Sequence, residues 1–258
     1  MCAFNLRASI GAPEKRRSGN ILHGQLMRGN ILSYFDMCQR EGTSLQRGMN
    51  FRLHNRHSVI LMSVQRNAPY RDRIEEDGSV LIYEGHDVPR TLEHPQPKTL
   101  DQPEFLPTGG LTENGKFHWA AQGFKDGKKG ADIVRVYEKL RKGIWADNGY
   151  FHLFDSWREH DGKRQVFKFR LVAVEDVASD GVAEDLHAAA AKRSRIIPSE
   201  VKLRVWARDG GKCRICGATD ELHFDHIVPF SKGGTSLRAK NIQLLCARHN
   251  FEKSARIR

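Results

Sequence analysis

No hydrophobic run in these 258 residues approaches the roughly 20 apolar positions needed to cross a bilayer. The longest, Val59 to Val64 (VILMSV), is far too short. The N-terminal stretch MCAFNLRASIGAPEKRR also lacks the apolar core of a signal peptide, so a cytoplasmic protein is expected. Cysteine is scarce and odd in number: Cys2, Cys38, Cys213, Cys216 and Cys246. An odd set with three members in one short region does not make a disulfide framework and points to a metal site instead. Cys2 and Cys38 read as ordinary thiols, a processed, nucleophilic Cys2 being the alternative. Proline is also sparse, but five of the nine fall between Pro89 and Pro107. That clustering excludes regular secondary structure there and predicts a long loop, which in a compact domain usually serves function.

Acidic residues are outnumbered, 31 against 42 lysines and arginines, for a net charge of +11. The excess is local. Residues 192–258 hold 15 basic and 6 acidic side chains, leaving the preceding 191 residues close to balance. A polyanionic partner is implied, and it should lie against the C-terminal quarter. No amphipathic anchor accompanies the charge, which argues against a membrane surface.

Residues 1–56 read as basic and irregular, with one possible helix around Gly29–Arg40. From His57 the texture becomes β: HSVILMS, then SVLIYEG after the turn signal Asp77-Gly78, then ADIVRVYEKL, NGYFHLFDSW and RQVFKFRLVAV. In the last of these, Phe167, Phe169 and Leu171 alternate with Lys168 and Arg170, as a half-buried strand requires. A mostly β first domain over 1–178 is therefore expected. An Ala-rich helical linker over 179–198 follows, and then a second domain over 199–258. Ser199 is the expected N-cap of the helix EVKLRVWARD, which should stop at Gly210-Gly211.

The second domain carries the densest pattern. Cys213-x-x-Cys216 and Cys246-x-x-His249 form two knuckles, as in a closed tetrahedral zinc site that staples a small domain. Two unrelated pairs would be the plain alternative, and His223 a rival fourth ligand. Between and after the knuckles stand Asp225-His226-Ile-x-Pro-x-Ser-x-Gly-Gly, Asn241-x-x-x-Leu-Cys and His249-Asn250-x-x-Lys253. With the first knuckle, these resemble the HNH nuclease family, although many zinc-containing members have cysteine where this chain has His249. The resemblance implies a ββα-metal fold that hydrolyses phosphodiesters. In it His226 is the base that activates water, and Asp225 and Asn250 are oxygen ligands to a catalytic Mg2+ or Mn2+. Asn241 would steady the His226 ring, and Lys253, Arg256 and Arg258 would face backbone phosphate. A surface Asp-His pair would be the bland alternative.

Elements of the first domain come in an order that resembles the SRA domain, a PUA-like barrel that recognises modified cytosine by flipping it from the duplex. They include the strand ending at Ser63, Tyr70-Arg-Asp72, Tyr83-x-Gly85, Asp101-Gln102, Asn114, Val134-Arg-Val136, Gly149-Tyr150 and the Trp157…Phe169-Arg-Leu pair. The resemblance implies that Tyr70 and Tyr83 sandwich the base and that Asp72 accepts from the cytosine amino group. The sequence departs from that pattern at Ala68-Pro69, where the family has Gly-Gly, and at Arg71 and Arg73, which interrupt its acidic run. The Tyr70–Tyr83 interval is one residue longer than the family's, and Glu84 replaces a small polar residue. Loops 42–56 and 86–100 are expected to enter the duplex, with Arg47, Arg52 and Arg90 touching DNA. A core aromatic, a strand aromatic and a turn carboxylate would be the structural alternatives for Tyr70, Tyr83 and Asp72.

An α+β chain is thus expected, an SRA-like domain followed by a zinc-containing HNH module. Its implied activity is cutting double-stranded DNA near 5-methylcytosine or 5-hydroxymethylcytosine, as a homodimer in a prokaryotic cytoplasm. The alternatives are an HNH nickase or phosphorothioate-directed nuclease, or a methyl-DNA reader with an inactive HNH module.

Overall fold

A computed structural model describes residues 30–75, 78–174, 195–254 and 256. Cys2, Arg258 and the Ala-rich linker segment lie outside the described residues. The strands β1 (Ile31–Ser33), β2 (Met49–Asn50), β3 (Ser58–Met62), β4 (Arg73–Glu75) and β5 (Val80–Glu84) come first. They are followed by β6 (Asp132–Arg141), β7 (Ile144–His160) and β8 (Gln165–Ala173). All eight form one sheet in the order β2-β3-β6-β7-β8-β5-β4, with β1 added to β7. The β3–β6 pair is parallel and the other ladders are antiparallel. Strand β7 is 17 residues long: β6 pairs with it along one edge, and on the other edge its start pairs with β1 and its remainder with β8. The 89–107 stretch has no strand and only a short 3-10 turn at Pro97–Thr99.

Two helices complete this part. Helix α1 (Tyr34–Glu41) is closed at its start by a Ser33–Asp36 capping box and at its end by Gly42 in the left-handed region. Helix α2 (Glu113–Lys125) starts where Thr112 accepts from the Gly115 N–H. Side chains from α2 and six strands, among them Met62, Tyr83, Phe117, Phe151, Phe167 and Phe169, converge on one core. Strand β8 departs from simple alternation. Lys168 is as buried as its phenylalanine neighbours because Glu84, its cross-strand partner, receives its ammonium at 2.9 Å.

The C-terminal module contains α3 (Ser199–Asp209), the hairpin β9 (Leu222–His226) and β10 (Ile242–Cys246), and α4 (Ala247–Lys253). Helix α3 stops at Gly210 as expected, but Ser199 is not its cap. Pro198 takes that position, and the Ser199 hydroxyl is buried without a partner as the first helical residue. The module is joined to the first sheet by a continuous apolar core. Ile31, Leu140 and Ala146 pack with Val201, Val205, Leu222, Phe224 and Leu244. At the same junction the Lys202 ammonium is buried between the Glu138 carboxylate at 2.7 Å and the Asn148 amide oxygen at 2.6 Å. No helix among the described residues is long and apolar enough to cross a membrane.

Candidate functional site

The metal-type cluster is assembled by two turns that face each other. Cys213 and Cys216 sit after α3, and Cys246 and His249 at the β10–α4 corner, with all four ligand atoms within 4.8 Å of one another. The Sγ atoms of Cys216 and Cys246 are 3.8 Å apart, and His249 Nδ1 lies 3.4 and 3.3 Å from Cys213 and Cys246. Those separations suit the edges of a tetrahedron with metal–sulfur bonds of about 2.3 Å, so three thiolates and one imidazole fit zinc. Burial opposes ionisation of Cys213. Backbone N–H groups of Cys246, Cys216 and Ile215 outweigh it and bring the thiol down to about 6. His223, the rival ligand, is outside the cluster, on β9 opposite Leu245.

Asp225 and His226 close strand β9, half-buried. Burial is the main influence keeping His226 neutral, with Lys253 and Arg195 adding to it and Asp225 opposing. Its Nε2 is 3.0 Å from the Ser236 hydroxyl. This corrects the role expected of Asn241, whose side-chain hydrogen bonds go elsewhere than the imidazole. Asn241 instead accepts from the Val228 N–H and donates to the Val228 and Thr235 carbonyls, pinning the turn that carries Ser236. Gly234 is obligatory in that turn, since a Cβ there would overlap the Val228 carbonyl.

Lys253 is also corrected. It is 1% exposed, and its ammonium donates to Asp225 at 3.1 Å and to the His226 carbonyl at 2.7 Å, out of reach of phosphate. Gln243 donates to the same carboxylate. Asn250, one turn before Lys253 on α4, shares its face of the helix. Arg256 is exposed and remains available to DNA.

In the first domain, Tyr70, Ser63 and Gly48 line a cavity of about 360 Å3. Asp72 accepts from the Ser63 and Glu84 N–H groups. Burial pushes its carboxyl up to about 7 against those hydrogen bonds. The structure does not offer Tyr83 as a stacking face: its ring is 1% exposed within the core, and only its hydroxyl reaches outward, to the Gly48 carbonyl and the His86 ring. The ring stacked on Tyr70 is that of His86, at 4.9 Å between centroids and 9° between planes. Sequence reasoning missed His86 because one histidine after a strand carries no periodic signal. Arg47 and Arg90 are exposed in their loops, whereas Arg52 is committed to a bidentate pair with Asp132 at 2.7 and 3.2 Å.

The HNH endonuclease family model matches residues 213–256. No curated protein matches the chain. Among solved structures, the chain is similar to the SUVH5 SRA domain in complex with hemi-methylated CG DNA, at 20% identity over 58% of this chain and 90% of that one, with a TM-score of 0.41. It is similar to the modification dependent TagI restriction endonuclease at 19% identity over 88% and 78%, with a TM-score of 0.38. It is also similar to KRYPTONITE in complex with mCHG DNA and SAH, at 16% identity over 62% and 34%, with a TM-score of 0.37. The matched segment spans the paired knuckles, the β9–β10 hairpin and α4, and residues 213–256 are therefore an HNH endonuclease module.

Proposed function

We propose that this chain is an endonuclease that senses a modified cytosine in duplex DNA and hydrolyses a nearby phosphodiester. The observation that carries this is the pairing of two sites in one packed body. A cavity edged by the Tyr70 ring, with the Asp72 carboxyl hydrogen-bonded to the Ser63 N–H of its wall, lies in a domain whose sheet shares a second apolar core with the HNH module. A carboxyl near neutrality, held by backbone N–H groups, suits the exocyclic amine of cytosine, which donates to Asp or Glu. An aromatic face beside it suits a base taken out of the stack. The C-terminal charge excess supplies sequence-independent attraction to phosphate.

In the cutting module, neutral His226 takes the proton from the attacking water, with Ser236 fixing its ring. Asp225 and Asn250, a carboxylate and an amide at the end of β9 and on α4, are donors suited to a hard cation with open positions. Mg2+ or Mn2+ bound there would neutralise charge growing on the phosphate and the leaving oxygen. Cys213, Cys216, Cys246 and His249 would hold structural zinc.

One module has one base and cuts one strand per engagement, so the working unit is read as a homodimer whose two-fold axis serves the antiparallel strands. The test is cleavage of modified and unmodified plasmid with and without Mg2+ or Mn2+, with light scattering on DNA. Metal-dependent linearisation of modified plasmid by a dimer is expected. Equal cutting of both plasmids would refute the sensing function. A monomer that accumulates only nicked circles would make the chain a nickase.

A further inference from the structure

Tyr70 has two neighbours against its ring. One is the stacked His86 ring, and Lys98 Nζ stands 4.0 Å from the ring centroid. The two rings of the stack are held very differently. His86 is fixed through its backbone, whose N–H donates to Asn114 Oδ1 and whose carbonyl accepts from Asn114 Nδ2, both at 2.8 Å. Asn114 is buried on α2. The His86 ring is fixed as well, with Nε2 2.9 Å from the Tyr83 hydroxyl. It fits so closely over Gly48 that a Cβ on that residue would come within 2.7 Å of it. Tyr70, by contrast, rides on a segment where Arg66, Asn67, Pro69, Arg71 and Arg73 are exposed, and its hydroxyl accepts one long bond, 3.4 Å, from the Asp87 N–H.

We propose that His86, not Tyr83, is the fixed aromatic plate of the base site, and that a flipped cytosine enters between His86 and Tyr70 as Tyr70 swings outward. This rests on the base-sensing function proposed above and names the residue that bounds it. A base is about 3.4 Å thick, the spacing of bases along one strand, so the plates must part to roughly 7 Å. The exposed side of the stack is the side that can give. Tyr83 then acts as a positioning residue: its ring is in the core, and its hydroxyl orients the imidazole. Burial drives the His86 pKa down to about 4, so the plate is an uncharged ring. An uncharged plate stacks on any base, leaving discrimination of cytosine to the polar groups around the pocket.

The experiment compares full-length wild type, His86→Ala, His86→Phe and His86→Gln. Each is measured for affinity to two duplexes differing in a single 5-methylcytosine, and each for its unfolding midpoint. Loss of one stacking face should weaken binding to the modified duplex by roughly ten- to a hundredfold in His86→Ala and cut the preference for it accordingly. His86→Phe, which keeps a ring, should retain most of the preference, and His86→Gln, which keeps polarity without a ring, should lose it. A folded His86→Ala that discriminates like wild type overturns the proposal. If His86→Ala fails to fold, a Gln variant that outperforms the Phe variant overturns it. Wild type that binds both duplexes equally would end the base-sensing function itself, and this placement with it.

Discussion

The Tyr83 ring is enclosed in the first core, and its surroundings decide what a substitution there can report. Tyr83→Ala should cost about 3–5 kcal/mol, the range for a buried aromatic, and lower the denaturation midpoint sharply. Tyr70→Ala should leave the midpoint nearly unchanged while weakening discrimination between duplexes. Chemical denaturation of both variants separates the two roles, and equal midpoints would contradict the burial. Asp72 offers a second test at this scale. Burial raises its folded-state pKa from 3.8 to about 7, so the native state favours the protonated form. Its contribution to stability is complete below 3.8 and is lost as pH rises toward 7. Asp72→Asn should therefore flatten the fall in stability between about pH 4 and 7, measured as the difference between variant and wild-type unfolding curves. An unchanged slope would mean that the carboxylate is not held in the neutral form. These residues also show where sequence reasoning stops. Tyr70-Arg-Asp72 was visible as a motif, but whether Tyr83 faced the cavity or the core depended on packing that only the folded sheet reveals. Lys253 was visible too, yet its burial on Asp225 follows from how α4 lies on β9, which spacing along the chain does not encode.

The strands β3, β5, β6, β7 and β8 were legible because each is a run of β-branched and aromatic residues bounded by turn signals. Strands β1, β2 and β4 were not, since two or three residues are too few to show a period. Helix α2 was hidden by its own glycines. Gly115 and Gly123 weaken the helical signal, yet Gly115 is required because a Cβ there would overlap the Glu104 carbonyl. The HNH module was the most legible part, because its knuckles and its Asp-His pair are fixed by chemistry at short range. For that module the expected result is about one tightly bound zinc per chain by metal analysis. Cys213→Ser or Cys246→Ser should lose the metal, melt the β9–β10 hairpin with α4, and abolish cleavage. A metal-free preparation that is folded and still cuts would exclude the zinc.

At the scale of the whole molecule, the junction between the two parts is built like an interior. Apolar side chains from both sides share one cluster, and Lys202 with Glu138 and Asn148 forms a polar cluster beside it. Removing one partner of a buried pair typically costs 3–5 kcal/mol, so the two parts are not loosely tethered. Ile196, just before α3, is itself buried in the first core, so the chain is fastened to the sheet again before the module begins. The molecule is in that respect a ruler without a hinge. On the proposed function, the docked core would set the distance from the sensed base to the cut bond, independently of the length of residues 175–194. Six added Gly-Ser residues within 180–190 should leave the cleavage position on a duplex with one modified cytosine unchanged to the nucleotide. A Lys202→Met, Val205→Ala double variant should blur it into a spread of positions. Mapping cut ends on a sequencing gel checks both outcomes, and a cut that moves with linker length would show that reach is measured by chain length instead.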